Sequence, residues 1–356
     1  MDRRVATSLD VARRAGVSQA TVSLVLNGVQ SVKISEETRR RVLQAARELN
    51  YRPNRLAAGL RTTRSRTLGV VFPSLAVGTF YGELFQAFEE VISGTGLSLL
   101  VVISHGDGAI ERRLVGLLLE HRVDGLLVIP SPSRSNVPLY QQLLRTLPVV
   151  FVDRRLPGVA ADYVASDHYA SAEMAFEHLY QLGHRRIAFL NGPEWPCSSL
   201  VERLRAYEAM RRKHGIAYRR VIFTRRDVHH QHACGYEAMS RVLREGFDAT
   251  AILAGNDKLA IGALRALREF GLRVPEDVSV VGYSDEAMAS YVVPPLTTVR
   301  HHFQRTGRTA AELLLARVRE SLPRTPQTVL IPPELVVRSS TGPARACEEN
   351  EVSDAG

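Results

Sequence analysis

From position 68 onward, short, largely apolar runs recur about every thirty residues, at 68–72, 97–103, 125–129, 149–152, 186–190, 250–253 and 278–281. Continuous rather than alternating hydrophobicity belongs to strands covered on both faces, and the helical-period stretches between the runs supply the covers. Such alternation closes into right-handed βαβ units and parallel sheets. Seven runs in a chain of 356 residues exceed what one core organises, so the expected body is α/β, with two doubly wound parallel-sheet lobes. The unit repeats as architecture; no sequence repeat accompanies it.

Open parallel sheets bind ligands beyond the carboxyl ends of their strands. The residues that fall there are polar: Ser74, Ser131, Ser133, Asp153, Asn191, Asn256, Asp257, Ser284 and Asp285. Two lobes facing these rows across a cleft would close on a hydroxyl-rich or charged small molecule through convergent hydrogen bonds.

Ahead of this body stands a module of different character. Residues 1–66 carry fourteen Arg and Lys against five acids, an excess that equals the net charge of +9 for the whole chain, so the remaining residues are electrically balanced. A compact basic segment joined to a neutral body suits polyanion binding, where each neutralised phosphate releases counterions. Ser8 is expected to cap a helix through Ala15, with Leu9, Val11, Ala12 and Ala15 near one face and Gly16 ending it. Ser18 caps a second helix whose Val22, Val25 and Leu26 point inward, and a third runs from about Ser35 to Leu49 with Val42, Leu43, Ala46 and Leu49 closing the core. Two short helices joined in this way make a helix-turn-helix, in which the start of the second helix reads base edges. Gln19, Ala20, Ser23 and Leu24 are the candidate readers, with Ser18, Thr21 and Asn27 beside them, while Arg39, Arg40 and Arg41 can face phosphates.

The run LDVARRAGVSQATVSLVLN at 9–27 resembles the headpiece of the lactose/galactose repressor (LacI/GalR) family, and YRPNRLAAGL at 51–60 is similar to that family's hinge. Asn54 can cap a hinge helix of about two turns, too short to persist in water alone. The resemblance implies that this helix orders on DNA, with Asn54, Arg55 and Ala57 at the minor groove and Leu60 wedged between base pairs. It extends over the body through HLYQLGHRRIA (178–188), NDKLAIG (256–262), VPEDVSVVGY (274–283), PPLTTVR (294–300) and ELVVRSST (334–341). The fold so implied is of periplasmic-binding-protein type: an all-α headpiece at 1–52, a hinge and linker at 53–66, and a two-lobed effector and dimerisation domain at 67–341. Lobe one would hold about 67–165 and 299–331, lobe two about 166–298 and 332–341, and the tail 342–356 is expected to be disordered. Phe80, Tyr81, Asp153, Arg203, His230, Asn256 and Asp257 carry over as effector contacts, with Ser74 and Ser284 beside them. In that scheme Arg203 is a fork for ligand oxygens and Asp153 and Asn256 bond hydroxyls.

The chain also departs from the family pattern. Ser284-Asp285 replaces a pair of acids or an acid and an amide, Gly78-Thr79-Phe80 replaces Asn-Pro-Phe, and Leu24 stands where relatives place a polar reader. What the resemblance implies is a homodimeric transcription repressor on a near-palindromic double-stranded operator, controlled by a sugar-like effector and needing no cofactor.

Other classes fit less well. Cys197, Cys234 and Cys347 lie far apart with no Cys-x-x-Cys pair, and His229, His230 and His232 with Cys234 lack zinc-module spacing. Dinucleotide glycines, a Walker loop and a Gly-x-Ser-x-Gly elbow are missing, so an enzyme is not expected. No apolar stretch reaches eighteen residues and Met1-Asp2-Arg3-Arg4 is no secretory start, so the expected site is the cytoplasm, with no membrane partner. An extracytoplasmic solute receptor would share the body fold but not the basic module.

Overall fold

The computed structural model describes residues 6–26, 33–51, 65–75, 80–192, 197–225, 227, 230–323 and 325–345. They form two compact units, 1–65 and 66–356.

The first unit holds α1 (Ser8–Ala15), α2 (Gln19–Leu26) and α3 (Glu36–Glu48). Thr7, not Ser8, caps α1. It sits three residues before Asp10, so the Thr7 side chain accepts from the Asp10 amide while the Asp10 carboxylate accepts from the Thr7 amide, and both orphan donors are met. Gly16 at φ 64° ends the helix, and the Arg41 guanidinium donates to the freed carbonyls of Ala15 and Gly16. Arg41, an exposed residue, is therefore also a clamp on the end of α1. The core is Val11, Ala12, Ala15, Val22, Val25, Val42, Ala45 and Ala46. Leu9 and Leu43, both expected inside, are 46% and 38% exposed, because small Ala45 takes the inward position and three short helices cannot cover both leucines.

The second unit contains two six-stranded sheets. In chain order its first part is β1 (Thr67–Phe72), α4 (Phe80–Ser93), β2 (Ser98–Ile103), α5 (Gly108–Glu120), β3 (Gly125–Val128), α6 (Val137–Leu143), β4 (Val149–Val152) and β5 (Asp162–Ser166). The second part is α7 (His168–Gln181), β6 (Ile187–Leu190), α8 (Ser198–Lys213), β7 (Arg220–Ile222), α9 (Gln231–Glu245), β8 (Ala251–Ala254), α10 (Asp257–Glu269), β9 (Ser279–Ser284) and β10 (Thr297–Arg300). The chain then returns through α11 (Phe303–Val318) and β11 (Thr328–Ile331), and finishes with β12 (Glu334–Val336). The first sheet runs β11-β5-β4-β3-β1-β2 and is parallel throughout. The second runs β12-β10-β9-β8-β6-β7, the same winding order, with only β12 antiparallel to its neighbour β10.

The central strands are buried along their length, as their unbroken apolar runs require, and helices cover both faces. Three crossings join the lobes. Ser166 pairs with Ile331 in the first sheet, and Val299 and Arg300 pair with Tyr283 and Ser284 in the second, so the first two crossings fall within two residues of the boundaries expected. Ladder hydrogen bonds, which a sequence pattern does not reveal, carry each strand a residue or two further.

Two glycines set the packing of α9 on α10. A Cβ on Gly235 of α9 would lie 2.3 Å from the Leu259 carbonyl oxygen, and one on Gly262 of α10 would lie 2.1 Å from that of His232. The two helices thus cross backbone to backbone. Beyond β12 the expected disordered tail is, in its first residues, held in place. The buried His184 ring bonds Thr250, Ser279 and the Gly342 carbonyl, the Ala344 amide donates to Leu182, and Arg345 pairs with Asp277 at 3.0 Å. Residues 346–356 lie outside those described.

Candidate functional site

On the first unit, Ser18 caps α2. Its hydroxyl accepts from the Thr21 amide at 3.1 Å and meets the Thr21 hydroxyl at 2.9 Å, so both side chains serve the helix start. Gln19 and Ala20 are exposed, and Ser23 and Leu24 half-exposed, on the flank away from Val22 and Val25. The Gln19 amide donates to the Ser8 hydroxyl at 2.7 Å, which ties this candidate reader to α1 and sets the direction in which it projects. Arg14 pairs with Glu48 and Arg39 with Glu36, whereas Arg40 and Arg47 are exposed. Asn27, Asn54, Arg55, Ala57 and Leu60 lie outside the described residues.

In the second unit a cavity of about 80 Å³ lies between the lobes at the carboxyl ends of both sheets. Gly106, Pro132 and Arg154 line it from the first lobe; Gly192, Thr224, Arg225, Asp227, Gln231 and Asn256 are among those lining it from the second. The neighbouring backbone is strained in a telling pattern. Asp153 (φ 61°), Ser284 (φ 128°) and Asp285 (φ 56°) all adopt positive φ at strand ends. Such positions cost about 1–3 kcal/mol each and cluster where function demands them.

Of the expected effector contacts, Asn256 lines the cavity. It is committed on both sides: Oδ1 caps α10 through the Leu259 amide at 2.9 Å, and Nδ2 donates to Gln231 at 2.8 Å. Arg203 is not an open fork. It donates through one terminal nitrogen to the Gly255 carbonyl and through the other to His168 Nδ1 at 3.1 Å, with its plane 4.9 Å from the Tyr283 ring. Since a guanidinium only donates, His168 Nδ1 accepts, and its Nε2–H points to the Asp153 carboxylate at 3.3 Å and carbonyl at 3.1 Å. Asp153 Oδ2 also receives the Tyr81 hydroxyl at 3.3 Å, and that hydroxyl accepts from Arg154 at 2.7 Å. Burial works to raise the Asp153 carboxyl. The hydrogen bond from His168 and the charges of Arg154 and Arg203 prevail and hold it below its ordinary value.

The result is one hydrogen-bonded relay from Arg203 on the second lobe, through His168 at the first crossing, to Asp153, Tyr81 and Arg154 on the first. The His301 ring lies 5.4 Å from the His168 ring, and burial drives its pKa well below the ordinary imidazole value.

The other expected contacts are placed differently. Phe80 packs on Tyr81 and Phe303, Ser74 is half-exposed beyond β1, and Ser284 presents a buried hydroxyl. Asp257 faces inward, accepting from the Thr298 hydroxyl at 2.6 Å and the Glu286 amide at 2.8 Å, which holds the 284–286 loop. The His230 side chain is 72% exposed, pairs with Asp227 at 3.0 Å, and is not among the cavity-lining residues. Among the described residues no three His, Cys, Asp or Glu side chains gather as a metal site.

Arg154, His168, Asp227 and Gln231 are the residues that sequence reasoning missed. Arg154 had a signal, since it follows Asp153 at a strand end. His168 had none, because its place depends on the crossing.

A small helical unit with an exposed second helix, joined in one chain to a two-lobed body with a polar cleft, defines a ligand-responsive DNA-binding regulator. Residues 7–54 match the model for bacterial regulatory proteins of the lacI family, and residues 176–341 that for the periplasmic binding protein-like domain. The HTH-type transcriptional regulator AscG of Escherichia coli strain K12 is 37% identical over 83% of this chain and 86% of that protein. The HTH-type transcriptional repressor PurR of Aliivibrio fischeri strain MJ11 is 31% identical over 94% and 98%. A crystal structure of the lac repressor dimer bound to operator and the anti-inducer ONPF superposes with a TM-score of 0.82 at 32% identity, covering 95% of this chain and all of that one. The chain belongs to the LacI family of bacterial regulatory proteins and is a transcription regulator, not an enzyme.

Proposed function

We propose that this chain acts in the cytoplasm as a homodimeric repressor that holds a near-palindromic operator and is switched by a sugar-like effector between its lobes. Two-fold pairing follows from the geometry of helix-turn-helix readers, which place two recognition helices one duplex turn apart. Gln19, Ala20, Ser23 and Leu24 meet base edges, and the hinge residues Asn54, Arg55, Ala57 and Leu60 meet the minor groove. The observation that carries the switch is the cleft itself: a cavity walled by both lobes, with Arg154 in its wall at one end of the hydrogen-bonded relay that runs through Tyr81, Asp153 and His168 to Arg203. A ligand that binds one arrangement of this relay more tightly than another shifts the lobes, and about 1–3 kcal/mol of such coupling changes DNA affinity roughly 5- to 150-fold. The solved regulator of Enterococcus faecium with bound ribose, 25% identical with a TM-score of 0.67, supports a sugar-like effector.

The test is selection of duplexes from a random pool by the full chain, followed by anisotropy titration of the selected site against Leu60→Gly. The expected result is an enriched two-fold site, with specific binding lost far more than non-specific binding in the variant. Absence of any enriched duplex refutes the reading.

A further inference from the structure

The body contains an imbalance that bears on the chemistry of the effector. Eight buried side-chain polar atoms among the described residues have no hydrogen-bond partner, and five belong to residues at or beside the carboxyl ends of strands around the cleft: Ser131 Oγ, Arg154 Nε, Asn191 Nδ2, Arg203 Nε and Tyr283 OH. Buried polar groups are nearly always paired, so a cluster of unpaired ones marks a place where a partner is supplied from outside. Arg154 lines the cavity itself, Gly192 beside Asn191 lines it, and Leu200, one turn before Arg203 on α8, lines it too.

These free groups have a definite polarity. Arg154 Nε, Arg203 Nε and Asn191 Nδ2 can only donate, and the two hydroxyls donate or accept. Arg154 Nε stands 3.5 Å from Asp153 Oδ2, an ion pair without a hydrogen bond.

The carboxylates of the same region each already take two or more bonds or ion pairs. Asp153 serves Tyr81 and His168; Glu111 takes the Ser131 amide, Asn136 and Tyr140; Asp227 takes Arg225 and His230. Asp257 takes Thr298 and Glu286, and Asp285 takes Arg300 and Arg338. Ser284 adds a neutral hydroxyl where a carboxylate would have added a further acceptor. A neutral sugar brings hydroxyl donors as well as acceptors, and among the unpaired groups only the two hydroxyls can accept from it. An anionic group brings only acceptors, and guanidinium donors meet it with the stronger, charge-assisted bonds.

We infer that the effector carries a carboxylate or phosphate, and that this group is received by Arg154, Arg203 and Asn191. The inference rests on the cleft being an effector site, as proposed above, and specifies which ligands that site accepts.

The test is a thermal-shift comparison of the full chain with matched pairs at equal concentration and ionic strength: glucuronate and gluconate against glucose, galacturonate against galactose, glucose 6-phosphate against glucose, and ribose 5-phosphate against ribose. Sodium sulfate serves as the ionic control. At least one anionic member is expected to raise the melting temperature by roughly 5 °C at a hundredfold excess over its Kd. Its neutral counterpart and sulfate are expected to be silent, and Arg154→Met to abolish the rise; whether acids or phosphates act identifies the group.

A neutral sugar that stabilises as strongly as its anionic partner overturns the inference and leaves the sensor reading standing. A silent anionic set, a rise matched by sulfate, or a rise retained in Arg154→Met overturns it as well. The wild-type comparison stands even if the variant does not fold. Failure of the regulator reading appears elsewhere, as absence of any selected duplex.

Discussion

The carboxyl of Asp257 offers a quantitative test of how the 284–286 loop is held. It is fully buried at the start of α10, and its oxygens accept from the Thr298 hydroxyl at 2.6 Å and the Glu286 amide at 2.8 Å. Burial pushes its pKa up from 3.8 to about 7; the two hydrogen bonds oppose the shift, and the neighbouring charges of Glu286 and Asp285 add to it. Between those two values the folded chain holds a proton that the unfolded chain has released. Stability therefore falls as the pH rises, by about 1.4 kcal/mol per pH unit and roughly 4 kcal/mol over the whole interval, and levels off above about 7.

Asp257→Asn removes that titration. Its amide cannot accept from both donors, so at pH 5 the variant should be about 1–3 kcal/mol less stable than the parent, the cost of leaving a buried N–H unmet. The parent's advantage should then shrink by about 1.4 kcal/mol per unit and vanish or reverse by neutral pH. Urea unfolding of the two full chains from pH 5 to pH 8 measures the difference directly, with other titrating groups cancelling between them. Parallel pH profiles would falsify the assignment of a retained proton to Asp257.

Three further outcomes follow from the geometry. Gly262→Val should cost roughly 3 kcal/mol or more, because its Cβ would meet backbone at 2.1 Å where no side chain can yield; a melting temperature within about 2 °C of the parent's contradicts the close crossing. Arg41→Met should destabilise the first unit by about 2 kcal/mol and leave the salt dependence of DNA binding unchanged, whereas Arg40→Met should lower the slope of log K against log salt by about one; the reverse pattern would show Arg41 to be a phosphate contact. His168→Leu breaks the relay between the lobes and leaves the Arg203 and Asp153 groups unmatched, so it should abolish the effector response while DNA binding persists; a response of parental size in anisotropy titrations removes the relay from the mechanism.

The body shows which kind of structural information survives in a linear pattern. Strands such as 125–128 and 149–152 are apolar without a break because both faces are covered, so their existence and parallel pairing follow from hydrophobic burial alone. The excess of basic residues in 1–66 likewise reports a local property, as does the spacing that makes α1 and α2. Capping at Thr7 rather than Ser8 was also legible in principle, since Asp10 three residues later completes a reciprocal pair.

Other properties are decided only when distant segments meet. Arg203 reads in sequence as a free fork, yet folding brings it the Gly255 carbonyl and His168 and takes up two of its nitrogens. Asp257 reads as a ligand contact, but the turn at Ser284 and Asp285 brings the Glu286 amide onto it. Arg41 reads only as a phosphate contact, and folding brings the end of α1 onto it as well. Sequence alone thus determined the fold class, the order of the modules and the strand ends at which a site must form, because burial and charge are properties of short segments. Which of the polar groups there are spent on the protein, and which are left to hold a ligand, was decided by tertiary structure, because hydrogen bonds are satisfied between residues that the chain keeps far apart.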